Sequence, residues 1–199
     1  MKQVFNMTFW KEVEGKKVHI DNKIVSIFEV HTDIIVKGAR ETLFGHKVNL
    51  ASGKSNLILD CQILKGNPAD KSLYQPTIDC IIENYGIVPR DSTADEGFAS
   101  IANQEFAKKT GIINIVFNKI VGKMQNIATS LNMVTRLKKW RSSSEAIISN
   151  FKRGFNIRVC NWKGWEHFQS KVKWSVMAYN IRVITSLFEN RIMSELLNC

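Results

Sequence analysis

Glu145 stands alone among cations. It is the single carboxylate between Glu105 and Glu166, while residues 123–158 hold eight basic side chains, Lys123, Arg136, Lys138, Lys139, Arg141, Lys152, Arg153 and Arg158. On a helix turning about 100° per residue, Arg141, Glu145 and Lys152 fall within roughly 60° of one another. Trp140, Ile147 and Phe151 take the opposite side, so the stretch 136–155 can bury one face and present its acid and cations on the other. Two readings stand open. One is a solvated amphipathic helix with an i−4 Arg–Glu pair worth about 0.3 kcal/mol. The other is an acid placed for chemistry on an anionic substrate.

A second carboxylate, Asp95, follows directly on an expected short strand. In α/β folds ligands collect at the carboxyl ends of strands, which favours a functional role; an N-cap for the helix beginning EGFASIANQEF is the structural alternative. Taken together, Asp95 and Glu145 suit divalent metal. Two ions roughly 4 Å apart need carboxylates from different elements, and they hold the attacking and leaving oxygens of a phosphodiester. Mg²⁺ or Mn²⁺ takes such oxygen ligands. Cys61, Cys80, Cys160 and Cys199 are far apart, as are His19, His31, His46 and His167, and no zinc spacing is present.

The elements that would position these acids follow from pattern. Residues 1–22 read as an arm or short helix, with Phe5, Phe9 and Trp10 as anchors. Lys23–Val30 reads as a strand or an extended segment, followed by a polar loop with Gly38. GHKVNL (45–50) and NLILDCQIL (56–64) read as an antiparallel hairpin, their alternation leaving one face apolar. A helix is expected over 71–85, with Asp70 as N-cap and Gly86 as stop. Then come a strand over 87–94, a helix burying Phe98, Ile101, Ala102 and Phe106, and the apolar strand IINIVF (112–117). Residues 45–117 thus read β-β-α-β-α-β, a mixed sheet with helices on its faces. After 136–155, residues 166–197 lack Gly and Pro, and Phe168, Val172, Val176, Tyr179, Val183 and Leu187 mark a long amphipathic helix.

The charge is uneven. Residues 1–122 carry 15 Lys and Arg against 14 Asp and Glu, whereas residues 123–199 carry 13 against 4. Such a basic half points to a polyanion, most simply nucleic acid, with an anionic membrane surface as the weaker alternative. No apolar run has the length of a membrane span and the N-terminus lacks a signal-peptide core, so the expected location is the cytoplasm.

The runs FGHKVNL, SNLILDCQILKGNPADKSLYQPTID, TADEGFAS, RSSSEAIISNFKRGFN and CNWKGWEHFQSKVKWSVMAYNIRV together resemble the C-terminal part of a bacterial insertion-sequence DDE transposase. Ala94–Phe98 resembles the strand-end motif bearing the family's second catalytic Asp. Arg141, Glu145 and Lys152 match the R-x3-E-x6-K part of its signature, although the Tyr expected seven residues before the Glu is Lys138 here.

The resemblance implies an RNase H-like core with Asp95 and Glu145 as catalytic metal ligands on a two-ion Mg²⁺ or Mn²⁺ site. Lys138, Lys139, Arg141, Lys152 and Arg153 would then meet double-stranded DNA, at transposon ends and target. It also implies that the strand bearing the first catalytic Asp lies ahead of Met1, so the core is expected to be incomplete and cleavage absent or impaired. Asp33 and Asp60 are the nearest acids that could stand in. The expected organisation is an arm (1–22), a partial catalytic domain (23–158) and a helical segment packed on it (159–199). Competing expectations are a DNA-binding module that pairs with an intact transposase and interferes with it, and a remnant that folds poorly.

Overall fold

Strand-forming residues and turn chemistry decide where this chain becomes a sheet. The computed structural model describes residues 2–19, 23–37, 41–120, 122 and 124–197, so Gly38, Lys123 and Cys199 lie outside the described residues. Helix α1 (Lys2–Thr8) runs on into a π-helical turn, Phe9–Val13. Its aromatics do not anchor it, because Phe5, Phe9 and Trp10 are exposed and Phe5 stacks on Phe9 within the helix instead. The strand expected over Lys23–Val30 does not form. Ser26 Oγ accepts from the Phe28 and Glu29 N–H groups, a local turn that takes these donors away from any ladder. Strands appear later, where a polar loop was expected. β1 (Asp33–Lys37) and β2 (Glu41–Gly45) pair antiparallel on the β-formers Ile34, Ile35, Thr42 and Phe44.

The hairpin expected next is present as β3 (Val48–Ser52) and β4 (Ile58–Ile63), with Leu50 opposite Cys61 and a bulge at Ala51/Ser52. Asn56 closes its turn at φ +66°, a conformation Asn tolerates. Helix α2 (Tyr74–Tyr85) begins later than expected, after a 3-10 turn at Asp70–Ser72. Asp70 does not cap it; the carboxylate is drawn 2.5 Å from Lys47 Nζ. Pro76 lies in the first turn of α2, where no amide donor is required. Gly86 stops the helix at φ +65°.

β5 (Asp91–Ala94) and β6 (Asn114–Phe117) pair in parallel, with α3 (Ile101–Thr110) as their crossover. The face of α3 meets expectation in part: Phe98 and Phe106 pack on the core, whereas Ile101 is 66% exposed and Asn103 and Ala107 are buried. Asn103 goes inward because its amide donates to the Lys71 and Phe98 carbonyls, both at 2.8 Å. All four residues of β6 are buried, and Ile127 bridges Ile115 on its far edge.

The order β-β-α-β-α-β holds from β3 to β6. Among the described residues, however, the hydrogen bonds make three separate two-stranded sheets rather than one. At Ile58 the β4 backbone is satisfied by a side chain, with Asn180 accepting from its N–H at 2.9 Å and donating to its carbonyl at 2.8 Å.

Helix α4 (Leu131–Gly154), capped by Ser130, packs across β5 and β6, while α5 (Trp165–Leu197) packs on β4 and α4. Tyr74, Ile78, Ala107, Ile112, Ile115, Phe117 and Met124 form one core. Ile58, Ile147, Phe151, Val172 and Tyr179 form the other. As expected, Ile147 and Phe151 face inward, and Phe168, Val172, Val176, Tyr179 and Val183 line the packed face of α5; Leu187 is exposed.

Thr93 Oγ1, on β5, is buried without a hydrogen-bond partner. Thr93→Val removes that unpaired hydroxyl at nearly constant shape, and should raise stability by about 1 kcal/mol. A higher urea midpoint with unchanged slope is the expected reading, and a lower midpoint would contradict it.

Candidate active site

The parallel pair β5–β6 ends where the acids gather. Asp95 is the first residue past β5 and accepts from the Glu96 N–H at 3.0 Å, opening the 3-10 turn Glu96–Phe98. Past β6, the Asn118 N–H extends the ladder to the Ala94 carbonyl at 3.0 Å. Beside this turn, a Cβ at Gly97 would stand 2.5 Å from Asp70 Oδ2, so only glycine lets the Lys47–Asp70 pair approach.

Helix α4 crosses above, held by Leu137, Ile147 and Phe151. That packing turns Arg141 onto both acids. Its Nη2 lies 3.0 Å from Asp95 Oδ2 and its Nη1 3.5 Å from Glu145 Oε1, and the Arg141 side chain is only 14% exposed. Since the two Nη atoms of a planar guanidinium are about 2.3 Å apart, the two carboxylates lie within roughly 9 Å of one another. Burial pushes the Asp95 carboxyl upward. The Glu96 N–H, the Arg141 charge and hydrogen bond and the Asn118 side chain together outweigh it, and the group is held below its ordinary value. Glu145 is exposed on its outer side.

The remaining cations named from sequence are on the same helix. Lys139, Lys152 and Arg153 are exposed and Lys138 is half-buried. Only Arg141 of the five is ion-paired among the described residues.

Neither acid proposed as a stand-in joins this group. Asp33 accepts from His46 Nδ1 at 3.0 Å and from the Gly66 N–H at 2.8 Å. Asp60 accepts from Gln62 at 2.8 Å. Among the described residues no set of three or more His, Cys, Asp or Glu is arranged to hold a metal ion. Two carboxylates fit one hydrated Mg²⁺, which keeps several waters; two ions need a further carboxylate. The Arg141 guanidinium stands between the two carboxylates, so a divalent ion held by both would take its place.

The scattered histidines proved less scattered than their spacing suggested. Glu29 Oε2 meets His31 Nε2 at 2.7 Å, His31 Nδ1 meets His46 Nε2 at 2.8 Å, and His46 Nδ1 meets Asp33. Trp165 and Phe168 pack against the His46 ring, which is 4% exposed, and Glu29 also accepts from the Gly164 N–H. No local pattern announces this, because residues 29–32 form a turn closed by the Thr32 N–H on the Glu29 carbonyl and His46 lies 15 residues beyond His31. Cys61 plays no such part, because burial pushes its thiol up to about 11.

A parallel strand pair ending in a carboxylate, overlaid by a helix that brings a second, belongs to the α/β proteins that bind ligands at strand ends. The family model described as Transposase DDE domain matches residues 33–181, well over half of the chain, and the chain belongs to that family. The resemblance read from the sequence is thereby borne out at the level of the family. Its members act on DNA in transposition and use divalent metal ions. No curated protein and no solved structure matches the chain. No helix among the described residues is long and apolar enough to cross a membrane.

Proposed function

We propose that this chain is a DDE transposase core which engages DNA through α4 and, taken alone, cleaves it weakly or not at all. One observation carries the reading. Arg141 pairs with both Asp95 and Glu145, which come from two elements, while the described residues add no third carboxylate to them. Asp95 and Glu145 would hold Mg²⁺ or Mn²⁺, and the bound ion supplies the charge that polarises a phosphodiester. Arg141 fixes the two carboxylates relative to each other, and Lys138, Lys139, Lys152 and Arg153 neutralise phosphates along the duplex. The divisions 1–22, 23–158 and 159–199 are proposed as arm, partial catalytic domain and helical segment, in the cytoplasm.

Incubation with supercoiled plasmid in Mg²⁺ or Mn²⁺ tests this. The expected result is nicking no greater than the protein-free control. Robust nicking abolished by Asp95→Ala or Glu145→Ala would overturn the proposed impairment.

The exposed, unpaired cations of α4 favour a second reading, a non-catalytic DNA-binding module that pairs with an intact transposase and interferes with it. Salt-dependent binding without cleavage is the outcome that separates it from an active nuclease.

A further inference from the structure

The Arg141 side chain is 14% exposed, against 67% for Arg136 on the same helix. It gives one Nη to Asp95 and the other to Glu145, a fork that a guanidinium can supply and an ammonium cannot. The two oxygens of Asp95 have unlike partners. Oδ1 accepts from the Glu96 N–H, which is fixed in the backbone of a 3-10 turn, while Oδ2 faces Arg141. A Mg²⁺–oxygen bond is roughly 2.1 Å long, well inside the 3.0 Å that separates Oδ2 from Nη2. A dication and a guanidinium also repel each other strongly at that range. The two cations therefore exclude one another. Leu137, Ile147 and Phe151 hold the helix, so the Arg141 side chain is the part that must move. Glu145, with its side chain 70% exposed, can follow the ion at little cost in packing.

We infer that Arg141 is an internal counter-cation that sets the affinity of this acid pair for divalent metal. It fixes the two carboxylates to each other only while the ion is absent, and it leaves when the ion enters. The inference rests on the reading of Asp95 and Glu145 as metal ligands and adds a competitor to it. Binding then requires the state in which Arg141 has swung out, and the apparent affinity falls by the fraction of time that state is populated. An arginine that positioned two ligands around a bound ion would have the opposite sign. Its removal would weaken binding, whereas removal of a competitor strengthens it.

Mn²⁺ binding to the full chain without DNA, read by loss of the free-ion signal in electron paramagnetic resonance, tests that sign. Arg141→Gln is expected to bind Mn²⁺ about tenfold more tightly than the parent chain. Adding Asp95→Asn should abolish the gain. Arg136→Gln removes one charge from the same helix without touching either acid, and should leave the affinity nearly unchanged. Equal or weaker binding by Arg141→Gln, with parent binding still dependent on Asp95, overturns the inference and leaves the two ligands standing. An equal gain in Arg136→Gln also overturns it, since the effect would be one of net charge. Binding independent of Asp95 in both the parent and Arg141→Gln overturns the ligand reading, and the inference with it. The parent chain supplies a second measurement if Arg141→Gln fails to fold. Phenylglyoxal modifies accessible guanidinium groups, and Mn²⁺ is expected to speed modification of Arg141 several-fold relative to Arg136. An unchanged or slower rate overturns the displacement.

Discussion

Replacing His46 with alanine should cost about 3 kcal/mol of stability, because it removes the middle of a buried, charge-assisted chain. His46, enclosed by Trp165 and Phe168, suits the neutral form, with its Nδ1–H donating to Asp33 and its Nε2 accepting from His31. Without that ring, His31 and Asp33 each lose a partner, and a void opens under Trp165. A fall of roughly 6–12 °C in the thermal midpoint is expected for a chain of this size. A change under about 2 °C would contradict the assignment.

The same ring makes a prediction in pH. Burial holds His46 below its ordinary 6.5, against the raising effect of Asp33. The unfolded chain therefore binds a proton that the native state excludes. The contribution is complete above about pH 6.5 and is lost as the pH falls below it. Lys163 acts on Glu29, and Lys65 stands over the Trp165 ring. Glu29 and Asp95 are also held low, Glu29 chiefly by the Gly164 N–H, so their contributions persist through this window and fade only at lower pH. The native chain should lose thermal midpoint between pH 7.5 and 5.5, and His46→Ala should flatten that slope. An equal slope in both would show that another group is responsible.

Reversing Lys138, Lys139, Lys152 and Arg153 to glutamate should weaken duplex binding at least about a hundredfold near 100 mM salt, and reduce the slope of log affinity against log salt by about 3. Lys139, Lys152 and Arg153 are exposed and Lys138 is half-buried, and none of the four is among the buried residues Leu137, Ile147 and Phe151 of α4. Arg141 is kept, because it ties Asp95 to Glu145 and its loss would confuse a DNA contact with a rearranged acid pair. Binding with an unchanged salt slope would remove α4 from the DNA interface.

What the sequence disclosed depended on how local each feature is. The β3–β4 hairpin, β6 and the inward face of α4 rest on alternation or helical spacing within one segment, and each formed as read. The meeting of Asp95 and Glu145 was expected through the family resemblance, since the spacing of Arg141 and Glu145 alone indicates only an i−4 pair. Asp70 left its capping position for Lys47, 23 residues earlier in the chain, and Asn103 turned inward for two carbonyls outside α3. Both choices depend on partners that no window around the residue contains. The β1–β2 pair was hidden by polar neighbours, and the strand read at Lys23–Val30 lost to the turn at Ser26.

Asn180 and Ile58 are 122 residues apart, and their two hydrogen bonds cap β4. During synthesis at 5–20 residues per second, that backbone waits on the order of ten seconds for its cap. For this interval the nascent hairpin presents an open strand edge, a surface that chaperones shield and that neighbouring nascent chains can join. Asn180→Ala would make that temporary exposure permanent. Its first visible consequence should be a lower yield of soluble protein at 37 °C, before any change in the affinity of the folded chain for DNA.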